Sequence, residues 1–193
     1  MHHFSDPLFL GLVLLAVCLL GLSKGGFFGL GVMALPLLSL VIHPLQAAAI
    51  LMPVTIAQDV LTVWTYRHNW CGWNLAIMIP SMTIGIALAT LFAAALEPHH
   101  IRLIVGVIAA LFVLRHWLSA AAERLSVRPN RFTAFLFGAI GGFTTLLANA
   151  GGPAWQIHLL PQKLDKATYV GTVTMLFAVS NVFKVPAYGS LGL

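Results

Sequence analysis

The chain has 193 residues, of which 60% are hydrophobic and only 8% charged, with a mean hydropathy of +0.95 and a net charge of +5. Soluble domains carry roughly 25% charged residues, so this composition excludes a soluble enzyme or nucleic-acid-binding module. The apolar runs far exceed the ~10 alternating residues of a barrel strand, which leaves an all-α, polytopic helical membrane protein with the lipid bilayer as its first partner.

The first run, Pro7–Ile42, contains a single formal charge, Lys24, among glycines at 21, 25, 26, 29 and 31. One straight span needs about 20 residues, and this run holds nearly twice that. Split at Lys24-Gly25-Gly26, it reads as a tight hairpin or a broken, partly re-entrant pair of helices. Leu45–Tyr66 is one span, with Pro53 inside it, and it holds Thr55, Gln58 and Asp59. Asp59 is the only acid within any span. Loop 67–72, span Trp73–Leu96, the short loop 97–100 and span Ile101–Leu118 follow. A basic loop, 119–131, then carries Arg124, Arg128 and Arg131. The next run, Phe132–Leu160, is again too long for one span. It repeats the Gly-Gly-Phe of residues 25–27 at 141–143, and Asn149 with Gly151-Gly152-Pro153 marks its break. Loop 161–166 has Lys163, Asp165 and Lys166. The last span, Ala167–Val185, holds Ser180 and Asn181 roughly where Leu45–Tyr66 holds Gln58 and Asp59, and Lys184 reads as a snorkelling residue near its outer end.

Arginine and lysine favour the cytoplasmic side, which places loops 119–131 and 67–72 inside and loop 97–100 outside. Lys163 and Lys166 favour the same inner side for loop 161–166. Both long runs are then hairpins, and the spans that follow them point in opposite directions. The chain divides into a first repeat, 1–118, the basic cytoplasmic loop 119–131, and a second, incomplete repeat, 132–193. Inverted repeats of this kind build many secondary transporters, with the site at the repeat interface.

The chemistry expected of these residues is anion binding. A glycine-rich helix break exposes N–H groups at a positive helix end, and Lys24 adds net charge. The substrate-binding candidates are Lys24, Gly25, Gly26, Asn149, Gly151, Gly152 and Asn181. Asp59, with Gln58 beside it, is the candidate for proton coupling or for an ion pair with Lys24, because intramembrane acids are functional by default; a structural hydrogen-bond acceptor is the other option. Gln58 and Asp59 point to different faces of their helix, so both cannot line one narrow path without a local break. Small residues such as Gly85, Gly106 and the Gly138-xxx-Gly142 pair also let helices approach closely in lipid. The histidines lie mostly in loops, Cys18 and Cys71 suggest neither disulfide nor metal, and no H-E-x-x-H, G-x-S-x-G or intramembrane aspartate pair occurs. No enzyme, metal or cofactor is expected.

Gly21-Leu-Ser-Lys-Gly-Gly-Phe-Phe-Gly-Leu-Gly31, its glycine-rich echo at 138–153 and the polar segment after each resemble the TauE/SafE sulfite exporter family, formerly a domain of unknown function numbered 81. The resemblance covers essentially the whole chain. It implies a bacterial inner-membrane, multi-pass transporter of two homologous halves that moves sulfite, sulfoacetate or related organosulfonates. Against the family's usual length the chain lacks apolar segments after 185, the expectation for a truncated, fragmentary or shortened member. The rival readings are a passive, channel-like anion pathway and a non-transporting membrane scaffold or subunit. Assembly into a homo-oligomer is left open.

Overall fold

The computed structural model describes residues 7–24, 30–117 and 129–192. These fold into eight α-helices: α1 (Pro7–Lys24), α2 (Gly31–Leu38), α3 (Pro44–Tyr66), α4 (Gly72–Ala95), α5 (Pro98–Trp117), α6 (Arg131–Ala148), α7 (Gly151–Leu159) and α8 (Lys166–Ser190). A 3-10 turn at Leu160–Gln162 follows α7. Four helices, α3, α4, α6 and α8, are long and apolar enough to cross a membrane. With backbone groups unable to bond to lipid, helices that satisfy their own N–H and C=O groups are the expected spanning form.

Local chemistry sets several helix starts. His43 caps α3, its Nδ1 accepting from the Leu45 N–H at 3.2 Å, with Pro44 as the first helical residue. Asn130 and Thr133 form a reciprocal capping box on α6, with bonds of 2.8 and 3.0 Å. Asp165 caps α8 through the Thr168 N–H at 3.0 Å. Such caps satisfy donors that the first helical turn leaves orphaned.

An 18-residue helix, a short helix and a long helix occur in that order twice: α1, α2 and α3, then α6, α7 and α8. In the second set α7 runs back along α6, because His158 near its end hydrogen-bonds Thr133 in the first turn of α6 at 3.0 Å. The run 132–160 is therefore a hairpin, and α2 likewise packs against α1. Helices α3 and α8 pack against each other in opposite directions. The Cys71 N–H, just past α3, donates to Thr172 near the start of α8 at 2.9 Å.

The most extensive contact is between α4 and α6. It depends on glycine: a Cβ on Gly85 would run into the Ala139 carbonyl, one on Gly142 into the Met82 carbonyl, and one on Gly138 into the Ser81 hydroxyl. Close backbone approach of this kind substitutes for the hydrophobic drive that lipid does not provide. Gly11, Gly21 and Gly106 face open space instead.

Two features differ from the sequence reading. The last span runs past Val185, through Pro186, to Ser190. The two Gly-Gly-Phe copies are not equivalent in place: Gly25-Gly26-Phe27 follows the last residue of α1, whereas Gly141-Gly142-Phe143 lies inside α6, and the break comes later, at Asn149. A Cβ on Gly141 would strike the fully buried Trp155 of α7, so this copy serves hairpin packing. Gly25, Gly26 and most of the basic loop 119–131 lie outside the described residues.

Candidate functional site

Between the two helix breaks lies a cavity of about 110 Å³. Leu20 and Ser23 of α1 and Gly31 and Val32 of α2 line it from one break. Asn149, with Gly152, Pro153 and Gln156 of α7, lines it from the other. Helix α3 contributes Thr55, Gln58, Thr62 and Tyr66, whose spacing of three to four residues makes one polar stripe along the helix. Helix α8 contributes Val170, Val173, Thr174, Phe177 and Asn181. The cavity thus gathers side chains from both halves of the chain.

The second break is built from Asn149 outward. Asn149 is the C-cap of α6 in the left-handed conformation, φ 53°, and its N–H bonds back to Thr145 O at 3.1 Å. Asparagine tolerates this region better than most residues do. Gly151 and Gly152 are then the first two residues of α7, whose opening N–H groups have no partner within the helix. Gly152 borders the cavity, where a Cβ would come within 3.2 Å of the Phe177 ring. Gly151 faces the other way, against the Gly141 carbonyl and Trp155.

Two asparagines face this space with opposite partners. The Lys184 ammonium donates to Asn149 Oδ1 at 2.8 Å. Lys184 is only 2% exposed, so it does not snorkel: α8 continues beyond it, and its long side chain reaches inward to the end of α6. The Asn181 amide Nδ2 donates to the Asp59 carboxylate in a short hydrogen bond. Asp59 is 4% exposed and is not itself a cavity residue, whereas Gln58, one position earlier, is. The neighbours indeed point to different faces, and Asp59 reaches the cavity through Asn181. Among the described residues, Gln58 Oε1 and Asn181 Oδ1 are buried without a hydrogen-bond partner.

A second buried polar cluster closes the end of the bundle that carries Arg67, Arg131 and Lys166. His158, fully buried on α7, bonds Thr133 of α6 through Nδ1 and, through Nε2, Asn74 Oδ1 of α4 at 3.1 Å. Asn74 and Gln162 exchange amide bonds of 2.9 and 3.0 Å. Four chain segments are pinned there, which is a positioning role for the hairpin.

Of the residues that the sequence nominates, Asn149, Gly152, Gln58 and Asn181 meet at the cavity, and Asp59 stands one residue behind it. Gly151 is turned into the hairpin. Lys24 ends α1 within one turn of Ser23, and its side chain, like Gly25 and Gly26, lies outside the described residues. Thr62, Tyr66 and Gln156 escaped the sequence reading. The stripe 55-58-62-66 carries a signal for two of them, a polar line on an apolar span; Gln156 has none, because only the return of α7 gives it a direction.

Residues 13–193 match the family described as Sulfite exporter TauE/SafE. No curated protein and no solved structure matches the chain. Because the family match extends from the first helix through the last, it takes in both helix breaks and the cavity between them, and this multi-pass membrane protein belongs to the sulfite exporter TauE/SafE family, a family of membrane transporters.

Proposed function

We propose that the chain carries a small sulfur-containing oxyanion, sulfite or an organosulfonate, across a bacterial inner membrane by way of the cavity between the helix breaks. The observation that carries this reading is the convergence at one cavity of the α7 N-terminus at Gly152 and the Asn149 amide that Lys184 orients. With Oδ1 taken by the ammonium, the Asn149 NH₂ group is left to donate. Bare charge is prohibitively costly to bury, and these groups supply the donors that replace an anion's lost hydration.

In this reading Lys24 and the N–H groups of Gly25 and Gly26 complete the site from the first break, and Gly152 from the second, while Gly151 packs in the hairpin. Gln58 and Asn181 contact the ligand from α3 and α8, and Asp59 couples a proton. The first repeat, 1–118, and the second, 132–193, rock against each other about the α3–α8 contact, opening the cavity to either side in turn.

The test is tracer flux in proteoliposomes, with sulfite, sulfate, sulfonates and carboxylates compared. A carrier shows counterflow: unlabelled anion on the far side accelerates uptake of label. Lys24→Met should weaken anion binding about tenfold or more, on the order of the 1.5–3 kcal/mol of a charge-assisted hydrogen bond. Flux without counterflow would make the pathway a channel, and the absence of any flux would leave a scaffold.

A further inference from the structure

The two cavity asparagines are oriented by opposite charges. An ammonium can only donate, so Lys184 takes the oxygen of Asn149 and leaves its NH₂ toward the ligand. A carboxylate can only accept, so ionised Asp59 takes the NH₂ of Asn181. Asn181 Oδ1 is then the end left over, buried and without a partner among the described residues, on a side chain that lines the cavity. An unpaired acceptor oxygen is a poor neighbour for an anion.

From this geometry we infer that Asn181 is a protonation relay, an amide that turns over when Asp59 takes up a proton and thereby makes anion binding depend on that proton. The inference rests on the anion-carrier reading above and supplies its coupling step. A proton from water in the cavity binds a carboxylate oxygen of Asp59. The resulting O–H needs an acceptor. Half a turn of the Asn181 amide about its last side-chain bond presents Oδ1 to Asp59 and Nδ2 to the cavity. The unpaired acceptor is replaced by a donor, which completes the anion's hydrogen bonds together with Asn149 and Gly152. When the proton leaves, the amide returns and the anion is released. One proton and one anion therefore travel together. By linkage, each raises the affinity for the other by the same factor.

Other charged groups act on the same region. Lys184 lies three residues beyond Asn181 on α8. Among the elements packed on α3, α1 carries Lys24 and Cys18, α5 carries His99, His100, Arg102, Arg115 and His116, and α6 carries Arg131. Helix α8 also carries Lys166, Tyr169 and Tyr188, and α3 itself carries Tyr66 at the cavity; α2 has no titratable side chain. A direct field from Asp59 on the anion is thus the rival to a relay, and the test separates them.

The purified full chain is titrated calorimetrically with sulfate, thiosulfate and methanesulfonate, which keep one charge state between mildly acidic and mildly alkaline pH. In the parent, affinity should rise as pH falls, toward about tenfold per pH unit, the limit for one proton bound with each anion. Repeating the titration in buffers of different ionisation enthalpy counts that proton without any variant. Asp59→Asn, whose NH₂ imitates the protonated carboxyl, should bind tightly at every pH and take up no proton. Asn181→Leu should bind weakly at every pH, with the pH dependence gone. If Asn181→Leu keeps the parent's pH dependence, Asp59 acts by its field and the relay is wrong. Parent binding that ignores pH and takes up no proton overturns the coupling while leaving the anion site standing. Failure of all three anions to bind at any pH removes the anion site itself, and the relay with it.

Discussion

At the scale of single residues, burial decides what a charged side chain is for. Lys184 looks like a snorkelling lysine from its place near the end of an apolar run, yet it is buried and holds Asn149. Lys184→Met should leave Asn149 free to turn its oxygen to the cavity. The expected result is about a tenfold loss of anion affinity in calorimetry, in line with the ~1.5–3 kcal/mol of a hydrogen bond to a charged group. His43 gives a pH dependence of stability. Desolvation, and then the Arg102 guanidinium, hold its imidazole below the ordinary value of 6.5. The neutral form is also the one whose Nδ1 accepts from Leu45. A group of this kind contributes stability that is fully present above the unfolded value and is lost as pH falls from about 6.5 toward the lower folded value. Thermal unfolding of the parent should drop in midpoint across that window. His43→Asn, which caps without titrating, should flatten the drop.

At the scale of elements, the α4–α6 crossing and the helix breaks use the same residue for different ends. Gly142→Val forces a side chain into the Met82 carbonyl. Backbone cannot step aside as a flexible side chain can, so the loss should reach at least the ~1–3 kcal/mol typical of overpacking. It should be read as a lowered thermal midpoint and a poorer yield of monodisperse protein. Gly11→Ala and Gly106→Ala, which meet nothing within 4 Å, should leave both unchanged. The paired Gly-Gly-Phe shows why a repeated motif is not a repeated structure. In one copy it follows a helix end, and in the other it lies within a helix and makes room for Trp155. Helix lengths align the two sets better: Asp59 and Asn181 are each fifteen residues past the first residue of their helices, and they meet.

For the whole molecule, the return of α7 sets the topology. It brings loop 161–166 to the end where α6 starts and where α3 turns into α4. The short connection 96–97 and the first turn of α5, which holds His99, lie at the other end of α4. In a background with Cys18 and Cys71 replaced, a cysteine at His99 should react with a membrane-impermeant thiol reagent applied outside intact cells. One at Lys166 should react only after permeabilisation. Labelling of both from the same side would contradict the hairpin.

Composition and run lengths by themselves determined a multi-pass helical bundle, the two overlong runs at 7–42 and 132–160, and the break at Asn149. The reason is that backbone satisfaction in lipid leaves few alternatives to helices, while polar and glycine residues in an apolar run stand out against their surroundings. The single intramembrane acid was legible for the same reason. Direction and partnership came from packing: α7 runs back along α6, Lys184 points inward, and Asp59 meets Asn181 across 122 positions of sequence. Helix periodicity says which face a residue occupies but not which helix covers that face. The close glycine contacts of α4 and α6 and the antiparallel seating of α3 on α8 make that choice, and it turns scattered polar residues into one cavity.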